Sequence, residues 1–195
     1  MATVASERGG RVHKSATRED YMVVGLEVLA DGGGHLELKL AEVCSRLGGV
    51  TSGSFYHFFD GWAQYRAQVI DHWKNEATLT QLQLLRGEPD PYRRIERLVD
   101  VALRLDHTAE SAIRAWSRVD PDVRRVQAEV DMLRRQVVFD SARQITDDDQ
   151  RAHRFADAAL YLLIGYEQAA VAPDLEGLEA IFRDLLTILE GGAPC

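Results

Sequence analysis

The chain has 195 residues, 46% hydrophobic and 28% charged, enough for a substantial core in one or two domains. No apolar run approaches the roughly 18 residues a membrane span needs, the first residues lack an export signal's apolar stretch, and two cysteines make no disulfide framework. These exclusions point to the cytoplasm. The net charge of −8 would oppose nucleic-acid binding if spread evenly, but residues 1–75 carry 8 Lys/Arg against 9 Asp/Glu, whereas 76–195 carry 15 against 22. The acidity belongs to the second part of the chain.

Residues 1–16 read as a flexible basic arm in which Arg8, Arg11 and Lys14, followed by Arg18, face only Glu7; such an arm can lie in a minor groove. Thr17 with Asp20 forms a capping box for a first helix, and Tyr21, Val24, Gly25, Val28 and Leu29 give its apolar face. Asp31-Gly32-Gly33-Gly34 ends it. Leu40, Val43, Cys44 and Leu47 repeat the helical spacing up to Gly48-Gly49. Thr51 is then an N-cap, and Ser52, Gly53 and Ser54 fill a first turn whose free N–H groups can meet a phosphate. Phe55, Phe58 and Phe59 anchor this third helix while Tyr56 and His57 turn polar tips outward. Three short helices, the last two joined by a glycine turn, make a helix-turn-helix head over residues 17–62.

Residues 63–195 read as a helical body. A helix from about 60 to 86 stops at Gly87-Glu88-Pro89, and Asp90-Pro91 opens the next, with Ile95, Leu98, Val99, Ala102 and Leu103 on one face. A segment over 109–119 carries Trp116, and Asp120-Pro121 launches a helix whose Val123, Val126, Val130, Leu133 and Val137 form a narrow seam. The last two helices, about 148–172 and after Pro173-Asp174, carry Phe155, Leu162, Leu163, Leu178, Ile181, Phe182 and Leu185. With small Ala158, Ala159 and Gly165 permitting close approach, they are expected to form a dimer interface. The fold class is all-α, with about nine helices.

The run Leu38-Lys39-Leu40-Ala41-Glu42-Val43-Cys44-Ser45-Arg46-Leu47-Gly48, then Val50-Thr51-Ser52-Gly53-Ser54-Phe55-Tyr56-His57, resembles the N-terminal domain of the TetR family of bacterial transcriptional regulators. The resemblance covers roughly residues 17–70. Downstream, Ile113-Arg114-Ala115-Trp116 with Asp120-Pro121 is similar to the body of many actinobacterial members. The resemblance implies a homodimer, joined through a four-helix bundle, whose two heads read the half-sites of a palindromic double-stranded DNA operator. DNA would be held by Lys39, Thr51, Ser52, Gly53, Ser54, Tyr56 and His57, with Arg11, Lys14 and Arg18. It also implies a body cavity whose small-molecule effector shifts the fourth helix. Leu103, Trp116, Phe139, Tyr161 and Tyr166 are the residues expected to line it, for a largely apolar ligand. Three positions depart from the family: Gly48-Gly49-Val50 stands for the usual Gly-Val, Phe58 for a His and Trp62 for a Lys. The last two remove potential phosphate contacts, which lowers affinity and flattens its salt dependence.

Enzyme signatures are absent from the sequence: no Cys-x-x-Cys, His-Glu-x-x-His, phosphate-binding Gly-x-x-x-x-Gly-Lys or Gly-x-Ser-x-Gly occurs. His107 and Glu110 share a helix end, where a solvated or capping role is expected. Asp147-Asp148-Asp149 suits a helix N-terminus, and Cys44 falls on an apolar face as a packed, inert thiol. No cofactor or metal is expected. The sequence therefore reads as a ligand-responsive, DNA-binding transcriptional repressor. The alternative is a TetR-like helical ligand-binding or protein-interaction module with weakened DNA binding.

Overall fold

The computed structural model describes residues 16–31, 33–85 and 87–191, so Arg11 and Lys14 lie outside the described residues. Local chemistry sets the head. Helix α1 (Arg18–Ala30) starts from a complete capping box: the Asp20 N–H donates to Thr17 Oγ1 at 3.2 Å, and the Thr17 N–H donates to the Asp20 carboxylate at 2.7 Å. Helix α2 (Leu40–Arg46) ends in a Schellman turn, with the Gly48 N–H donating to Ser45 O at 3.1 Å and the Gly49 N–H to Cys44 O at 3.0 Å. Both glycines have left-handed backbones, φ +81° and +78°, which a side chain would strain. Helix α3 (Ser52–Phe58) follows, its Thr51 Oγ1 accepting from the Ser54 N–H at 3.3 Å.

The body begins with α4 (Trp62–Lys74), which runs through a π turn (Asn75–Leu79) into α5 (Thr80–Leu85) as one rod. Then come α6 (Pro91–Leu103), α7 (His107–Ser117), α8 (Pro121–Ile145), α9 (Asp149–Gln168) and α10 (Leu175–Gly191). Aspartate caps recur: Asp90, Asp106, Asp120 and Asp148 each accept from N–H groups of the turn they open, and proline sits at the start of α6 and α8. Because Asp106 caps α7, that helix starts at His107 rather than near 109. With α4 and α5 counted as one rod, the described residues form nine helices and no strand, the all-α class expected. None is long and apolar enough to cross a membrane.

Head and body share one core. Tyr21, Val28, Leu29, Val43, Phe55 and Phe59 pack with Tyr65 and Val69 of α4, and the cluster continues through Trp73, Ile113 and Trp116 to Val123, Val126 and Val130. Two smaller clusters fill the body, one around Ile95, Ala142 and Phe155, the other around Leu163, Leu178 and Phe182. Burial pushes the Cys44 thiol up, which keeps it protonated and unreactive.

Helix α1 packs tightly on α4 at Gly25, where an added Cβ would lie 2.5 Å from Tyr65 Oη and 2.8 Å from Val69 Cγ2. That same hydroxyl donates to Tyr21 O at 2.8 Å. Gly25→Ala is therefore expected to destabilise the chain by about 1–3 kcal/mol in urea unfolding, although alanine is the better helix former.

Candidate nucleic-acid interface and body cavity

Helix α3 is held from behind and open in front. Phe55 and Phe59 are buried, Phe55 meeting the Tyr21 ring edge-on at 5.8 Å and the Tyr65 ring at 5.3 Å. Thr51, Ser52, Gly53 and His57 are exposed, Ser54 is half-buried and Tyr56 is 59% exposed. The aromatic block thus fixes the helix while a small polar row and two hydrogen-bonding rings face outward. Phe58 packs on Tyr21 at 5.8 Å, and Trp62 on Tyr65 at 4.9 Å, so both serve the core.

The cations of the head are engaged internally. Lys39 lies 3.3 Å from Glu37, and Arg46 pairs with Glu42 and Asp31. The Arg18 Nε–H donates to Gln68 Oε1 at 2.9 Å, and its guanidinium lies over the Phe59 ring, so this residue is bound to the α4 side of the head.

A cavity of about 80 Å³ opens in the body. Its wall includes Ala77 and Thr78 of the π turn, Val99 and Ala102 of α6, Val138 of α8, Ala156 and Ala159 of α9, and Phe182 of α10. Arg134 and Arg135 also border it, both already paired, with Glu110 and Asp157. The five residues expected to line the cavity do not. Tyr161 sits 67% exposed on the outer face of α9, two positions from both Ala159 and Leu163 and thus on the opposite side of the helix. Phe139 stacks on His153 at 4.1 Å, Tyr166 meets His107 edge-on at 4.9 Å, and Leu103 packs against the Leu163 cluster. Trp116 belongs to the shared core, stacked with His35, and borders a separate surface cleft beside Arg66 and Asp120.

The residues expected at a dimer interface are likewise divided. Phe155, Leu163, Leu178 and Phe182 are buried in the protomer's own core, because the inward stripes of α9 and α10 face each other and the body. Leu162 and Leu185 are half-buried, and Ile181 is 51% exposed.

One set of functional-looking residues is not evident from the sequence. Glu110, only 2% exposed, accepts from Trp73 Nε1–H at 2.9 Å and from both terminal nitrogens of Arg134 at 2.8 and 2.9 Å. The Arg134 Nε–H donates to Thr78 Oγ1 at 3.1 Å. Burial works against the Arg134 charge, yet Glu110 beside it holds the guanidinium protonated. Glu110 is thus buried and paired rather than solvated. The network joins α4, the π turn, α7 and α8, and its arginine borders the cavity. A signal does exist in the spacing: Arg134 follows Val130 by four residues on the apolar seam of α8.

Arg134→Met would leave Glu110 buried with Trp73 as its remaining donor. A loss of about 3–5 kcal/mol is expected in chemical unfolding, largely restored in the double variant Arg134→Met/Glu110→Leu, where no charge remains to bury.

No protein-family model matches the chain, and no curated protein matches its sequence. Solved structures match in shape. A transcriptional regulator from Rhodococcus sp. Rha1 is similar with a TM-score of 0.75 at 19% identity, covering 91% of this chain and 98% of its own. A Saccharomonospora viridis protein named as a transcriptional regulator, solved in complex with choline, gives 0.72 at 16% identity, covering 87% and 95%. A Rhodococcus sp. protein named as a TetR-family transcriptional regulator gives 0.67 at 13%, covering 89% and 98%. Identities this low speak for the fold alone: the chain has the all-α fold of these transcriptional regulators, the TetR-family protein among them.

Proposed function

We infer that this chain is a ligand-responsive DNA-binding transcriptional regulator, a cytoplasmic repressor that binds a palindromic operator as a homodimer. The observation that carries the reading is α3: a short helix anchored by Phe55 and Phe59, with Ser52, Gly53, Tyr56 and His57 exposed on the other side. In this reading residues 17–62 bind DNA and 63–195 bind ligand and partner. Thr51 and Ser54 order the entry to α3, Lys39 approaches a phosphate from the start of α2, and Arg18, Arg11 and Lys14 extend the contact along the backbone.

The outer faces of α9 and α10 supply the dimer surface. Tyr161, Ile181 and Ile188 are exposed there, and the position of a Gly165 Cβ meets open space, which lets a second helix come close. The cavity supplies the switch. A ligand that fits one position of the α4–α5 rod better than another biases the head, and about 1–3 kcal/mol of such coupling changes DNA affinity roughly 5- to 150-fold. No acidic side chain is among the described wall residues and both arginines are paired, which favours an uncharged apolar effector over a cation such as the choline held by the S. viridis protein.

The engagement of Lys39 and Arg46 by carboxylates of the head, and of Arg18 by Gln68 of α4, favours a second reading, a ligand-binding module with weakened DNA binding. Salt dependence separates the two.

Electrophoretic shift with a duplex from the region upstream of the chain's own gene is expected to show specific binding, weakened about 5- to 150-fold by Tyr56→Ala. Lys39→Ala should lower the log–log salt slope by about 0.9, the value of one neutralised phosphate. Equal binding of specific and scrambled duplex, with a slope near zero, would overturn the DNA-binding reading. Ile181→Asp is expected to turn a dimer into a folded monomer by analytical ultracentrifugation; an unchanged mass would place the partner surface elsewhere.

A further inference from the structure

Helix α9 buries a carboxylate that no hydrogen bond satisfies. The Glu167 side chain has 0% exposed surface, and neither of its oxygens has a hydrogen-bond partner. From α7 it is faced by His107, whose Nδ1 lies 3.9 Å from Oε1, by Glu110, and by Arg114, whose Nε lies 3.7 Å from Oε2. From α8 it is faced by Asp131 and Arg134; the groups acting on it electrostatically come from these two helices.

The two cations of this junction spend their terminal nitrogens elsewhere. Arg134 makes its paired bonds to Glu110, and Arg114 makes two to Asp131, at 2.8 and 2.9 Å, which leaves only the Arg114 Nε–H, itself without a hydrogen-bond partner, beside Glu167. Three carboxylates therefore share two guanidiniums, one positive charge short. His107 does not supply it at neutral pH, because burial pushes its ring down; both ring nitrogens are themselves without partners. No group of three or more His, Cys, Asp or Glu among the described residues is placed to hold a metal ion.

We propose that Glu167 is a proton-binding site built into this junction, and that gain and loss of its proton switches the contacts among α4, α7, α8 and α9. With the proton on, the carboxyl is neutral, and a small rotation brings its O–H to the free His107 Nδ1. With the proton off, a bare anion draws Arg114 away from Asp131. The disturbance then reaches α4 through Glu110, which holds Trp73. Burial first, and Glu110 second, raise Glu167 from 4.5 to about 7, and the two arginines do not offset them. The native state thus holds a proton that the unfolded chain has released between about pH 4.5 and 7. Stability contributed by this group falls as pH rises through that window and stays lower above it.

The test compares wild type with Glu167→Gln, which is permanently neutral. The variant is expected to match wild type near pH 4.5 and to melt roughly 7–14 °C higher at pH 8. The Trp73 indole N–H resonance, assigned by its loss in Trp73→Phe, should titrate with a midpoint near 7 in wild type and not in the variant. Parallel melting profiles, or a Trp73 titration that persists in Glu167→Gln, would overturn the proposal. Should the variant fail to fold, carbon NMR of the wild type decides. One glutamate carboxyl titrating near 7 supports the site, and all of them titrating below about pH 5.5 would refute it.

Discussion

Three N–H donors from two other helices converge on the buried Glu110 carboxylate. An ion taken out of water is tolerated only with near-complete compensation, so the arrangement works in one relative placement of α4, α7 and α8. Slide α4 by a turn and Trp73 loses the carboxylate while Arg134 loses Thr78. This is where the body fixes the helix that carries the head, and hydrophobic packing alone would tolerate more slippage than a charge with fixed donors does.

A second clamp holds the other end of the same helix. Arg66 pairs with Asp120 and lies 4.8 Å over the Trp116 ring, while His35 from the turn after α1 stacks with that ring at 5.9 Å. Asp120 also caps α8 by accepting from the Asp122 and Val123 N–H groups at 3.0 and 3.3 Å. Although partial burial opposes ionisation, those bonds and Arg66 hold its carboxyl below the usual range. The stretch from Ile113 to Pro121 thereby has a mechanical meaning: it is the body's socket for the head, with one aspartate serving both the helix start and the joint.

What can be read from the chain is what depends on near neighbours. The Thr17 capping box, the aspartate starts before Pro91 and Pro121 and the Phe55 anchor all rest on residues a few positions apart, and their chemistry is written locally. The buried charges are easy to pass over because a charged residue is ordinarily a surface residue. Yet Arg134 lies on the Val123-Val126-Val130 seam, and Glu167 four residues after Leu163 on an apolar stripe. The cavity escapes for the opposite reason. Large aromatics are the obvious candidates for a pocket, but volume is left where residues are small, and Ala77, Ala102, Ala156 and Ala159 stand among the aliphatic residues of the wall. Periodicity locates the apolar faces of α9 and α10 without telling which are spent inside the protomer.

Nothing in Asn75–Leu79 announces a π turn, yet its geometry sets how this rod can move. A π turn takes up one residue more than an α turn, and each residue of an α-helix corresponds to about 100° about the axis. Rewinding these five residues to α geometry would therefore rotate one end of the rod against the other more than it would shift it along its length. Since Ala77 and Thr78 are also cavity wall, such a rewinding would alter the lining of the cavity in the same step that turned the head.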